Sequence, residues 1–160
     1  MPYESDPITA KLNGLVNDQQ LYFDLGGFDE LNPAEQALLG TWELANEIYN
    51  GGFMQYFHNS SREHAKPMIG VLRSFEAHNA AAILEAAFAL AGPGTPLGDE
   101  PNYLKAIKAV PEKVKEEIRE LERKLYDDLD NVHLRLFRYL EKHRDQIVAP
   151  EDFWREATIQ

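Results

Sequence analysis

The chain reads as an all-α protein, a single compact multi-helix domain of about seven to nine helices over residues 1–160. Apolar residues recur at three-to-four spacing along most of its length. No stretch alternates with the period of two that marks a strand. Proline, glycine and asparagine punctuate the periodic segments where helices start and stop. A chain of 160 residues is long enough to bury one sizeable core.

Asp6-Pro7 offers a capping side chain followed by proline at the first helical position, predicting a helix to about Val16. Ile8, Leu12, Leu15 and Val16 share one face of it. Residues 22–28, rich in aromatics, read as an apolar loop or a short helix. Asn32-Pro33 repeats the start signal, and Leu38, Leu39, Trp42, Ala45, Ile48 and Tyr49 follow until Asn50-Gly51 ends the run. A short helix is expected over residues 53–57, and another over 65–77 with Met68, Ile69, Leu72 and Phe75 inward. Asn79 is expected to cap a helix over 80–91, built largely of strong helix formers. Residues 92–98 form a loop on composition. A short helix over 101–109 ends at Val110-Pro111. Two further helices are expected, one carrying Val114, Ile118, Leu121 and Leu125, the next Val132, Leu134, Leu136, Phe137 and Leu140. Phe153 and Trp154 pin the C-terminal segment.

The absence of cysteine excludes disulfides and thiolate metal sites. The N-terminus lacks a basic stretch followed by an apolar run, and no apolar run approaches the ~20 residues of a membrane span. A cytoplasmic protein is expected. The net charge of -11 is unevenly placed: residues 1–50 hold nine acids against one base, residues 51–100 five against three, and residues 101–160 thirteen against twelve. Such a field repels phosphate and anionic lipid and attracts basic partners, so direct binding of nucleic acid is not expected.

Residues 50–59 contain two adjacent glycines, three aromatics and several amides, a composition that calls for unusual glycine dihedrals and a buried place for the rings. One reading is a sharp helix-to-helix corner whose amides satisfy backbone groups. Another is a small polar pocket lined by Asn50, Gln55, His58 and Asn59. Amides bind well but are poor acids and bases, so the motif by itself argues against catalysis. No histidine has a recognisable metal-ligand spacing, Ser60 and Ser61 lack a nucleophile elbow, and no catalytic constellation, metal site or cofactor is expected. Asp127, Asp128 and Asp130 read as a turn, a cation site or part of the charged surface, and they lack the glycine and distal glutamate of a calcium loop.

Glu47, Asn50, Gly51, Gly52, Phe53, Gln55, Tyr56, Phe57 and Asn59 match a Glu-x-x-Asn-Gly-Gly-Phe-x-Gln-Tyr/Phe-Phe-x-Asn pattern. In this the chain resembles the bacterial nineteen-kilodalton DNA-mimic protein family. Residues 125–129 and 136–140, ahead of Trp154, are similar to that family's C-terminal half. The resemblance implies a helical, homodimeric, non-enzymatic protein that presents carboxylates in place of DNA phosphates. Its partner would be a basic DNA-binding protein, such as a repressor or a histone-like protein, and the outcome transcription regulation.

Duplex DNA presents one charge per ~1.7 Å of axis. A helix with an acid every fourth residue offers one per ~6 Å, so several elements must contribute to one face. Asp18, Asp24, Asp29, Glu30, Glu35, Glu43 and Glu47 are the expected partner-binding surface. Glu112, Glu116 and Glu120 have the same spacing, but residues 111–126 carry five acids and five bases, which reads as a self-paired solvated face. Two other readings stand beside mimicry. One is an immunity or regulatory protein that neutralises a specific enzyme; the other is a small-molecule or hydrolytic domain built on the polar pocket.

Overall fold

The computed structural model describes residues 6–19, 27–59, 62–91 and 100–155. Eight α-helices occur among them: α1 (Pro7–Gln19), α2 (Pro33–Asn50), α3 (Gly52–His58), α4 (Arg62–Ser74), α5 (His78–Leu90), α6 (Glu100–Lys108), α7 (Glu112–Lys142) and α8 (Glu151–Arg155). Short 3-10 turns lie at Phe28–Glu30 and Arg144–Gln146. No strand is present among the described residues, and the protein is all-α. Of the loop or short helix expected at 22–28, residues 22–26 lie outside the described residues, as does the loop expected at 92–98.

Helix α7 is the axis. Its 31 residues extend about 46 Å, and α1, α2, α3 and α5 all pack along it. The sequence reading placed two helices here, and the structure joins them. The acidic run at 127–130 looks like a break, yet Leu129 lies four residues after Leu125 and three before Val132. Ile118, Leu125, Leu129, Val132, Leu136 and Leu140 therefore form one buried stripe. No proline or glycine interrupts it. Burial of each such side chain is worth roughly 1.5–3 kcal/mol, enough to carry the helix through a locally polar segment.

Helix α2 starts as expected. Asn32 Oδ1 accepts from the Glu35 backbone N–H at 2.8 Å, and Glu35 Oε1 accepts from the Asn32 N–H at 3.1 Å, closing a capping box with Pro33 at the first helical position. The side-chain amide of Asn32 also donates to the Gln146 carbonyl at 2.8 Å, tying this helix start to the turn after α7.

The junction of α4 and α5 departs from the sequence reading. Asn79 does not cap α5; the helix begins at His78, with Ala77 at the cap position and no side-chain cap. The Ala77 N–H returns to the Leu72 carbonyl at 2.9 Å and the Glu76 N–H to the Arg73 carbonyl at 3.0 Å, the paired bonds of a Schellman ending. Glu76 occupies the left-handed position at φ 66°, where glycine is usual.

Helix α1 is fastened by a polar chain. Thr9 Oγ1 donates to Asp6 Oδ2 at 2.8 Å, so the His133 Nδ1–H must donate to the same hydroxyl at 2.9 Å. Burial lowers the His133 pKa to about 4, which keeps the ring neutral near pH 7. Lys11 Nζ also donates to the Phe153 carbonyl at 2.7 Å, joining α1 to α8. No helix among the described residues is long and apolar enough to cross a membrane.

Two outcomes are expected. Glu76→Gly should raise stability by about 0.5–1 kcal/mol in urea unfolding, because glycine relieves the left-handed strain. For His133 the folded pKa lies below the unfolded one, so its contribution is complete above pH ~6.5 and is lost as pH falls toward 4. His133→Gln should therefore flatten the stability–pH profile between pH ~6.5 and ~4. A slope equal to that of the unsubstituted chain would show that His133 is not the titrating group.

Candidate functional site

The corner between α2 and α3 is built from charges meeting the groups a tight turn exposes. Gly51 ends α2, and its N–H returns to the Glu47 carbonyl at 2.9 Å. Gly52 starts α3 at φ 81°, in the left-handed region. A β-carbon on Gly52 would overlap the Glu122 carboxylate of α7, and one on Gly51 would overlap the Gln55 side chain. Glu122 comes this close because its Oε1 accepts from the Phe53 backbone N–H at 2.8 Å, at the N-terminus of α3. Burial raises the Glu122 pKa, while that hydrogen bond and Arg119 and Arg123 oppose the rise.

Glu47 closes the other side. Its Oε2 accepts from the Gln55 side-chain amide at 2.8 Å and from the Asn59 amide at 3.0 Å. Glutamate, glutamine and asparagine of the motif thus form one network across α2, α3 and the residue after it. Phe53, Tyr56 and Phe57 are fully buried beneath it, with Phe53 and Phe57 stacked at 5.7 Å. Burial, followed by the fields of Glu43 and Glu47, pushes the Tyr56 hydroxyl pKa well up. Arg62 covers the end of α3, donating to the Asn59 carbonyl at 3.0 Å and to Glu100 of α6 at 2.7 Å.

The expected acidic surface is only partly free. The Asp18 side chain and the whole of Asp24 lie outside the described residues. Asp29 and Glu30 are exposed on the 3-10 turn. Glu35 is half-buried in the capping box, Glu47 is half-buried in the corner, and Glu43 accepts from His64 Nδ1 at 2.6 Å. His64 stacks on Phe28 at 4.8 Å, which brings the turn carrying Asp29 against α2 and α4. The bond to Glu43 raises the His64 pKa against its partial burial, and Glu63 and Asp29 add to the rise. Glu43 alone is bonded to this imidazole, while Glu63, the preceding residue on α4, and Asp29, on the turn stacked against the ring through Phe28, act on it as charges. The pair's stabilisation is complete below pH ~6.5 and fades as pH rises through the elevated folded value.

On α7, Arg119 pairs with Glu112 and Arg123 with Glu120, each at 2.9 Å, as a self-paired face requires. Among the described residues no group of three or more histidines and acids is arranged to hold a metal ion. A cleft of about 600 Å³ adjoins the corner, lined on its α3 side by Gly51, Met54, Gln55, His58 and Asn59. Asn50, expected to line a pocket, is exposed at the end of α2 and is not part of this lining. Glu122 was not anticipated as a partner of the corner. It is 69 residues from Phe53, and its place among alternating charges gives no local signal.

The model of a protein family described as DMP19-like protein matches residues 29–143, most of the chain. The chain belongs to that family. The match runs from the acidic 3-10 turn through the corner to the end of α7. No curated protein and no solved structure matches the chain.

Gly52→Ala tests this corner. It forces a side chain into the left-handed region and against Glu122, so a loss of about 2–4 kcal/mol is expected. In a Glu122→Ala background the loss should shrink, as the overlap is removed. Equal losses in both backgrounds would exclude Glu122 as the constraint.

Proposed function

We propose that this protein is a non-enzymatic DNA mimic that binds a basic DNA-binding protein, a repressor or a histone-like protein, and blocks its nucleic-acid site. Membership of the DMP19-like family, whose members are DNA mimics rather than enzymes, supports the reading. The observation that carries it is that acids of three elements lie around His64: Glu43 of α2 bonded to it at 2.6 Å, exposed Glu63 beside it on α4, and exposed Asp29 on the turn whose Phe28 stacks on its ring. Several elements contributing acids to one face is what the spacing of phosphates demands. Exposed Glu30 continues the group, and the -8 balance of residues 1–50 favours a cationic partner. Asp18, Asp24 and Glu35 extend the proposed surface, whereas Glu47 contributes through the corner it holds. The protein is proposed to work in the cytoplasm as a homodimer, which doubles the length of the acidic face.

The experiment is affinity capture from a bacterial lysate, followed by competition between the purified partner's DNA site and this protein. The expected partner is a DNA-binding protein that releases DNA on addition of this protein, with affinity falling steeply as salt screens the contact. The triple reversal Asp29→Lys/Glu30→Lys/Glu63→Lys should weaken binding about a hundredfold or more, since like charges across an interface cost several kcal/mol. Among the described residues these side chains are exposed and hold no hydrogen bond or ion pair, so the melting temperature should stay close to that of the parent. Retention of binding by the folded triple variant, or indifference to salt, would end the mimic reading. A protein that neutralises an enzyme through a mixed surface is the second reading. The alternating charges of residues 111–126 on α7 favour it, and a partner with no DNA-binding activity would select it.

A further inference from the structure

The cleft beside the corner has an electrostatic character opposite to that of the chain. Facing the α3 wall are Lys108 of α6 with Lys115 and Arg119 of α7, against a single carboxylate, Glu122. Its lysines, arginine and glutamate give three cations against one acid, a formal +2, on a protein of net charge -11. Glu112, ion-paired to Arg119 at 2.9 Å, reduces that excess to +1, but Lys108 and Lys115 pair with no carboxylate among the described residues. Glu122 Oε1 accepts from the Phe53 N–H at 2.8 Å, so part of that carboxylate serves the corner. Met54 and Ile107 add apolar surface. The volume of about 600 Å³ falls within the ~300–1,000 Å³ usual for small-molecule sites.

Ammonium groups gathered in a concavity repel one another and favour an anion between them. A phosphomonoester carries a charge of about -2 near neutral pH and three strong acceptor oxygens, which suit two uncommitted lysines, with Arg119 donating from the nitrogens that Glu112 leaves open. A monocarboxylate brings half that charge and fewer acceptors. We propose that this cleft binds a small phosphomonoester, its phosphoryl group held by Lys108, Lys115 and Arg119 and its organic body resting against Met54 and Ile107. The site uses α3, α6 and α7 and is independent of the acidic group around His64.

The test is a nuclear magnetic resonance titration of the full chain with phenyl phosphate, inorganic phosphate and phenol. Phenyl phosphate should produce saturable amide shifts at Gly51, His58 and Arg119. Inorganic phosphate, which lacks the organic body, should saturate the same residues at higher concentration, and phenol should leave them unmoved. Lys108→Ala/Lys115→Ala should weaken phenyl phosphate binding about tenfold or more, the loss expected for charge-assisted contacts, with an unchanged melting temperature. The proposal is overturned by a linear, unsaturated response, by equal shifts with phenol, or by parental affinity in the double variant. Shifts of equal size at Arg135 and Arg138, which line a separate cationic groove, would also overturn it, since they would indicate general screening.

Discussion

The constraint on which the rest of this structure depends is the reversal of the chain at Gly51-Gly52, stabilised by carboxylates on both sides. Glu47 takes the amides of Gln55 and Asn59, and Glu122 takes the Phe53 backbone N–H in the first turn of α3. A seven-residue helix is too short to be stable on its own. Here it is held by these polar contacts and by three aromatic rings with no exposed surface. Because Glu122 lies on the axial helix, the corner fixes α2 and α3 against α7 at once. Arg62 then extends the same arrangement to α6 through Glu100.

This arrangement divides the protein's charge by task. Some acids are structural: Glu35 completes a cap, Glu47 and Glu122 hold the corner, and Glu43 is joined to His64. Others, such as Asp29, Glu30 and Glu63, are exposed and can meet a partner. Counting acids in the sequence cannot separate these groups, since both have the same residue types and similar spacing. The His64–Glu43 pair joins the two tasks. It fastens α4 to α2 beside exposed Glu63, and the stacking of His64 on Phe28 sets the turn carrying Asp29 against the same helices. The cations follow a comparable division, with Arg62, Arg119 and Arg123 committed to carboxylates and Lys108 and Lys115 left in the cleft.

Much of the fold was legible because it follows from local chemistry. Asn32-Pro33 with Glu35 closes a capping box within four residues, and the apolar periodicity of α2, α4 and α7 needs only neighbours along the chain. The two misreadings have physical causes. The acidic run at 127–130 suggested a break, but the buried stripe through Leu125, Leu129 and Val132 outweighs local polarity. Asn79 was read as a cap, but the Schellman bonds from Glu76 and Ala77 end α4 so tightly that α5 begins one residue before it.

By itself the sequence determined the all-α class, the places where most helices begin and end, the excess of negative charge in its first third, and the presence of a glycine corner at residues 51–52. These depend on interactions between residues a few positions apart, or on composition alone. Tertiary structure decided which carboxylate serves which purpose, that Glu122 supports the corner from 69 residues away, and that cations of α6 and α7 gather in one cleft. The physical reason is that a charge acts through what lies within a few ångströms of it, and for these side chains those neighbours come from distant parts of the chain.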